Sequence, residues 1–245
     1  MKRIVCVIPA RLHSTRFPKK VLSFLGGKPL LQWVYEAARG SGYFDDILFA
    51  VDALETRQLI EGFCDRIVMT SEACINGTER LIEVQRQGKS QADVWVNWQA
   101  DEPFISKTMI GCLLQSVHEE GEIWTLKKVI TEKEQYRDPH VVKVVVDHKE
   151  EALFFSRSPI PYRREGERAA YKHLGIYAFS DAALRKIATL APCELEKSES
   201  LEQLRWLYHG MRLRVHTTEE QSLGIDLAEH LVQAEEKLFK LLSSS

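Results

Sequence analysis

"IVCVIPARLHSTRFPKK", residues 4–20, joins an unbroken apolar run to a loop dense in positive charge: Arg11, Arg16, Lys19 and Lys20, with His13 a further cation when protonated. Residues 4–8 show no alternation of polar and apolar side chains, which predicts a strand covered on both faces, as in a parallel sheet. Working outward, a helical pattern spans 30–39, a second apolar run 47–51, a helix 55–63 and a third run 66–69. That βαβαβ rhythm continues through a helix at 78–87, a run at 94–98, a helix at 109–119 and a run at 123–130. Short apolar runs separated by helices predict a mostly parallel sheet with right-handed crossovers and helices on its faces.

Past residue 138 the pattern changes. "HVVKVVVDHKEEALFFSRSPIP" reads as two β-rich runs around a polar turn at 147–151, and "KHLGIYAF" as another strand, together an antiparallel insertion at about 138–179. Helices at 180–190 and 201–209, a strand at 213–216 and a helix at 227–242 complete the pattern. The expectation is a single domain over 1–245 carrying that insertion.

The formal net charge is −2, so the cations of the opening loop answer a local anion and not nucleic acid or a membrane surface. Five cysteines, odd in number and never spaced Cys-x-x-Cys, suit a reducing compartment and give neither a disulfide frame nor a zinc site. No apolar run approaches the ~20 residues of a membrane span, and no signal-peptide pattern opens the chain; the expected location is the cytoplasm.

In open α/β sheets ligands bind beyond the carboxyl ends of the strands, so the loops after residues 8, 51, 69 and 98 are expected to converge. They offer Arg11, Ser14, Thr15, Arg16 and Lys20 from the first, "TSEACINGTER" after Met69, and "QADEP" after Trp98. Cations facing carboxylates are what a Mg²⁺-bound nucleoside triphosphate requires, because phosphate charge needs cations and the metal needs hard oxygen ligands. No P-loop, dinucleotide-binding glycine pattern, His-Glu-x-x-His or Gly-x-Ser-x-Gly occurs. Taken singly, Asp101-Glu102-Pro103 can be a polar strand end with Glu102 or Ser106 near a helix start. "GTER" can likewise be a helix start with Thr78 at the cap.

The blocks "PARxxSTRFPxK" from Pro9, "MTS…NGTERL" from Met69, "NWQADEP" from Asn97, "ALFFSRSPIP" from Ala152, "KHLGIYAF" from Lys172, "LEQLR" from Leu201 and "GIDLAEHL" from Gly224 stand in order over nearly the whole chain. In this they resemble the 3-deoxy-manno-octulosonate cytidylyltransferases (CMP-KDO synthetases). The resemblance implies a Rossmann-like nucleotide-diphospho-sugar transferase fold. It implies transfer of CMP from CTP to the anomeric hydroxyl of KDO, an acid sugar, with release of pyrophosphate, for lipopolysaccharide. By the same resemblance Arg11 and Lys20 hold the triphosphate and stabilise developing charge, with Ser14 and Arg16 in support. Asp101 and Asp226, the remaining catalytic residues, coordinate Mg²⁺; read from the residues alone, Asp226 is an N-cap of the last helix. Asn76, Gly77 and Thr78, with Gln99 nearby, receive the cytosine. Arg157 pairs with the sugar carboxylate, while His173, Tyr177, Glu202 and Gln203 line its hydroxyl face. The β-rich insertion supplies a homodimer contact.

Four departures from the family pattern stand out: Lys19 for a glycine and Val21 for a proline in the basic loop, Asn76 for a serine, and Ala100 for the "QGD" glycine. If that last glycine needs positive φ, alanine strains the turn by ~1 kcal/mol or more. Competing readings are a cytidylyltransferase for another 2-keto acid sugar (amino-KDO or a nonulosonate), a glycosyltransferase of the same fold, and a non-catalytic nucleotide-binding relative. The glycosyltransferase lacks its usual Asp-x-Asp here, and retention of Arg11, Lys20, Asp101 and Asp226 together argues against an inert relative.

Overall fold

The computed structural model describes residues 1–13, 17–164, 169–225 and 227–243, with side chains to 240. Contacts divide the chain into two compact units, residues 1–110 with 222–245, and residues 111–221.

In the first unit the opening apolar run is β1 (Ile4–Ala10), all seven residues buried. It lies between β4 (Asp46–Val51) and β6 (Val94–Asn97), parallel to both, and β5 (Ile67–Met69) extends the sheet beyond β4, again parallel. The order β6-β1-β4-β5 brings the loops after all four strands to one edge, because parallel strands share a carboxyl end. The crossover helices are α1 (Leu30–Ser41), α2 (Leu54–Ile60) and α3 (Gly77–Arg86). α1 ends at Gly42 in the left-handed conformation, φ 73°, as a C-terminal cap requires. α3 starts at Asn76, whose side chain accepts the Glu79 N–H at 2.8 Å. The cap is therefore the asparagine that replaces the family's serine, an equally good acceptor, and Thr78 lies inside the helix.

A small hairpin absent from the sequence prediction, β2 (Phe24–Leu25) and β3 (Lys28–Pro29), turns through Gly26 and Gly27 at φ 56° and 79°. It lies under α9 (Ala228–Ser243), where Leu25, Leu30, Ile225, Ala234 and Leu238 form a buried cluster. A Cβ at Gly26 would stand 2.7 Å from Leu238 Cδ2, so both backbone sign and space require glycine there. α4 (Lys107–Leu114) begins at Ser106, whose hydroxyl accepts the Met109 N–H at 3.1 Å, and the boundary between the units falls inside it.

In the second unit β7 (Ile123–Val129) lies between β11 (Leu213–Thr217), parallel, and β10 (Tyr171–Ser180), antiparallel. β8 (Lys143–Val146) pairs antiparallel with both β10 and β9 (Ala152–Ser156). The apolar run at 123–130 thus pairs parallel on one side and antiparallel on the other, within the mostly parallel sheet that the sequence predicts. Continuous apolarity reports burial on both faces and carries no strand direction. Short helices α5 (Lys133–Arg137), α6 (Asp181–Ile187), α7 (Glu194–Glu199) and α8 (Gln203–Tyr208) complete the unit. The polar turn at 147–151 closes where Asp147 Oδ1 accepts the N–H groups of Lys149 and Glu151, at 2.8 and 2.9 Å.

Candidate active site

One cavity in the first unit is lined by Arg11 from the loop after β1, Lys20 from a single 3₁₀ turn, Asn76 and Gly77 at the start of α3, and Gln99 and Asp101 after β6. Three of the four strand-end loops that the sequence predicts to converge line this cavity, and the loop after residue 51 does not. Lys20 is only 8% exposed, and its ammonium lies 2.5 Å from Asp101 Oδ2. Partial burial of both groups removes water that would otherwise screen them, so the two charges attract strongly and fix the ammonium at the cavity wall. The side chain of Arg11 is exposed beside it.

The turn carrying Asp101 is pinned from both sides. The Trp98 indole N–H donates to the Glu102 carbonyl at 3.1 Å, and the Glu102 N–H closes the turn on Gln99 O at 3.1 Å. The backbone carbonyl of Asp101 accepts the N–H of Ile225 at 2.9 Å. Ser14, Arg16 and Asp226 lie outside the described residues, but Ile225, the neighbour of Asp226 in sequence, thus stands at the Asp101 main chain.

The anticipated strain falls elsewhere than at Ala100. Positive φ among described non-glycine residues occurs at Lys19, Glu150 and Ser200, and not at Ala100. Lys19 is left-handed, φ 55° and ψ 27°, where the family pattern has glycine. A side chain there costs ~1–2 kcal/mol, and the exposed pair of Lys19 with Glu55, 3.0 Å, returns only a fraction of that.

At the base loop, a Cβ on Gly77 would stand 2.9 Å from Asn97 Nδ2 and 3.2 Å from Pro9 Cγ. Asn97 is 1% exposed; Gln99 Nε2 donates to its Oδ1 at 3.3 Å, and its Nδ2 has no partner among the described residues. Gly77→Ala is therefore expected to cost ~1–3 kcal/mol by overpacking, read as a fall in melting temperature. Thr78 is buried and does not line the cavity.

Cys74 does line it, a residue the sequence reading passes over. Burial, together with the Glu83 carboxylate that accepts its Sγ–H at 3.1 Å, pushes the thiol up to about 11. At pH 8 only ~1 in 1,000 such thiols is ionised, and the thiolate is the reactive form. Iodoacetamide labelling followed by peptide mass spectrometry is expected to leave Cys74 essentially unmodified.

The residues that the resemblance assigns to the acid sugar fall in the second unit. His173 and Tyr177, both on β10, have ring centroids 5.3 Å apart, with Phe155 edge-on to His173 and Trp206 edge-on to Tyr177. β10 shifts register between Leu174 and Tyr177, and the Thr125 hydroxyl fills the gap by donating to Ile176 O at 2.8 Å. His173 Nε2, 2.9 Å from that hydroxyl, therefore donates to it, which fixes the tautomer and leaves Nδ1 as an acceptor. Desolvation lowers His173 to about 3, so it is neutral at physiological pH. Desolvation, then the Glu202 charge, raises the Tyr177 phenol, which stays protonated. Gln203 is buried, 3% exposed, at the start of α8.

Arg157 follows β9. Its Nε donates to Glu199 O at 2.7 Å and its Nη1 to Pro139 O at 3.0 Å. The Glu199 carboxylate accepts the Ser156 hydroxyl at 2.6 Å and the Arg157 N–H at 2.9 Å. Behind them, the fully buried Lys143 donates to the carbonyls of Asp138, Val141 and Arg157. The guanidinium is thus held by carbonyls at Nε and at one Nη1–H, which leaves the second Nη1–H and the Nη2 donors for an incoming anion.

A parallel sheet whose strand-end loops bring lysine, arginine and carboxylate around a glycine-bearing base loop has the layout of a nucleotidyltransferase. A profile of the cytidylyltransferase family matches residues 5–213. The chain is 40% identical to the 3-deoxy-manno-octulosonate cytidylyltransferase of Thermodesulfovibrio yellowstonii, over 96% of this chain and 97% of that one. To the protein of the same name from Solibacter usitatus it is 41% identical, over 98% and 95%. A solved structure of CMP:2-keto-3-deoxy-manno-octonic acid synthetase complexed with CTP superposes with TM-score 0.92 at 34% identity, over 97% of this chain and 99% of that one. The chain belongs to the cytidylyltransferase family, among its 3-deoxy-manno-octulosonate cytidylyltransferases. A second structure, 4-diphosphocytidyl-2C-methyl-D-erythritol synthase from Anaerococcus prevotii, shares the fold alone, TM-score 0.65 at 12% identity.

Proposed function

We propose that this protein transfers CMP from CTP to the anomeric hydroxyl of KDO, giving CMP-KDO and pyrophosphate for lipopolysaccharide synthesis. The observation that carries the reading is the cavity in which Arg11, Lys20 and Asp101 meet the base loop at Asn76 and Gly77. The sugar hydroxyl attacks the α-phosphate and pyrophosphate leaves, so no protein nucleophile is required. Arg11 and Lys20 stabilise the charge that builds on the α-phosphate and the leaving group. In the free protein Lys20 is bound to Asp101; the triphosphate competes for Lys20 and releases the carboxylate. Asn76, Gly77 and Gln99 receive the cytosine. In the second unit Arg157 takes the sugar carboxylate, and the neutral His173, Tyr177, Glu202 and Gln203 face its hydroxyls.

The Asp101 carboxylate is a hard oxygen donor at the cavity wall, which fits Mg²⁺ held by one or two carboxylates together with substrate phosphates. Asp101 and Asp226 would hold it, and when bound it neutralises phosphate charge. The reading also includes a homodimer formed through the β-rich segment and a cytoplasmic location. In that segment Leu153 and Tyr162 leave large apolar side chains 62% and 87% exposed. Among the described residues no helix is long and apolar enough to cross a membrane.

The test is pyrophosphate release from CTP, Mg²⁺ and a panel of acid sugars containing KDO, an amino-KDO and a nonulosonate. KDO is expected to be used best. Preference for another sugar would reassign the substrate, and no release with any sugar would overturn the enzymatic reading.

A further inference from the structure

Two of the loops around the nucleotide cavity hang on one buried ion pair. Asp52 lies directly after β4, and its Oδ2 accepts Arg80 Nη2–H at 2.7 Å, the two side chains being 3% and 2% exposed. Its other oxygen, Oδ1, accepts the backbone N–H of Leu12 at 2.9 Å, the residue next to Arg11. Arg80, in the second turn of α3, donates Nη1–H to the Thr70 hydroxyl at 2.7 Å and to Ser71 O at 3.4 Å, while Nη2 also reaches Cys74 O at 3.5 Å. Thr70 in turn donates to Val51 O at 3.1 Å. The planar N–H fork of arginine can address this many partners at once in fixed directions, as a lysine ammonium cannot.

A buried pair of this kind is costly to desolvate and costly to break, so it holds one geometry. Its two charges offset one another at the cavity wall, where Arg80 contributes to the lining. Its effect on a ligand therefore comes through what it holds: on one side the loop bearing Arg11, on the other the segment 70–77 bearing Asn76 and Gly77.

We propose that Asp52 and Arg80 are the positioning pair of the nucleotide site, holding the phosphate-facing and base-facing loops at the separation CTP requires. The proposal rests on the assignment of this cavity to CTP. The pair sets affinity for the nucleotide and takes no part in bond making, so its loss falls on CTP and not on the sugar.

The experiment measures CTP affinity by calorimetry, and kcat and KM for CTP and KDO by pyrophosphate release, on wild type, Asp52→Asn and Thr70→Val. Folding is checked by thermal melting. Asp52→Asn keeps an acceptor for Leu12 but removes the charge facing Arg80; CTP binding and KM(CTP) are expected to worsen ~10-fold or more. KM(KDO) should stay within about 3-fold, and kcat at saturating CTP should fall by less than CTP affinity does, through the shift of the loop bearing Arg11. Thr70→Val removes one acceptor at constant volume, and a CTP-specific loss of ~3-fold or more is expected. It decides the matter should Asp52→Asn fail to accumulate folded. Folded variants whose CTP affinity stays within about 2-fold of wild type, or whose KM rises equally for both substrates, would overturn the proposal. Wild type that binds CTP without using KDO removes only the proposed reaction; wild type that binds no CTP removes both.

Discussion

Lys20→Met is expected to lower kcat by ~10²–10³-fold while leaving the fold intact. The methionine keeps most of the side-chain volume of a residue that is 8% exposed, so the packing loss is small. What disappears is a cation in a partly dehydrated site, and removal of one preorganised charge-stabilising group from such a site costs a factor of this size. Lys20 is opposed by Asp101 at 2.5 Å, so the variant also leaves that carboxylate without its ammonium. The effect should therefore fall on kcat as well as on KM for CTP. Single-turnover kinetics at saturating CTP measure it; a variant that regains wild-type kcat when CTP is raised would assign Lys20 to ground-state binding alone.

Acidification to pH 5 is expected to remove ~4 kcal/mol of folding stability through two histidines. Desolvation lowers His173 to about 3, and desolvation with the nearby charges of Arg214 and Lys127 lowers His216 to about 4. His216 is 8% exposed and shares a hydrogen bond with the Ser116 hydroxyl at 2.8 Å. An unfolded-chain histidine titrates near 6.5. Above that pH neither state takes up the proton and the contribution is fully present. Between 6.5 and the folded values only the unfolded chain is protonated, so each histidine withdraws ~1.4 kcal/mol per pH unit, about 2 kcal/mol at pH 5. Urea midpoints from pH 7 to pH 5 should fall steeply, and the imidazole resonances of His173 and His216 in the folded protein should not titrate over that range. A flat midpoint would show both rings to be ordinary.

The order of strands and helices in the first unit is legible in the sequence because its runs are long, apolar and separated by amphipathic helices. Strand direction in the second unit is not: residues 123–129 look the same whether their neighbour runs parallel or antiparallel. The β2–β3 hairpin escapes notice because two-residue strands carry no period, although its paired glycines are the usual sign of a tight turn. At the cavity, Arg11, Lys20, Asn76, Gly77, Gln99 and Asp101 are found from strand-end position and block resemblance. Asp52 and Arg80 are not. Arg80 stands inside "NGTERL", where its spacing reads only as a helix start, and a buried arginine looks like an exposed one until its partner is known. An acid immediately after a predicted parallel strand, as Asp52 is, was the available signal. Glu199 and Lys143 gave none, since their work is to hold backbone carbonyls and hydroxyls brought together by folding.

The hydrogen bond from Ile225 to the Asp101 carbonyl, with Ala234 and Leu238 packed on Leu25 and Leu30, binds residues 225–238 to segments made much earlier. During synthesis on the ribosome the early strands and their loops emerge long before α9, separated from it by the whole of residues 111–221. Until α9 arrives, Leu25 and Leu30 lack the cover of Ala234 and Leu238, and the Asp101 carbonyl lacks the Ile225 N–H. The cavity of the first unit is therefore completed only once residues 222–243 have been made, and a nascent chain stalled before residue 222 would offer an apolar face to chaperones rather than a finished cavity.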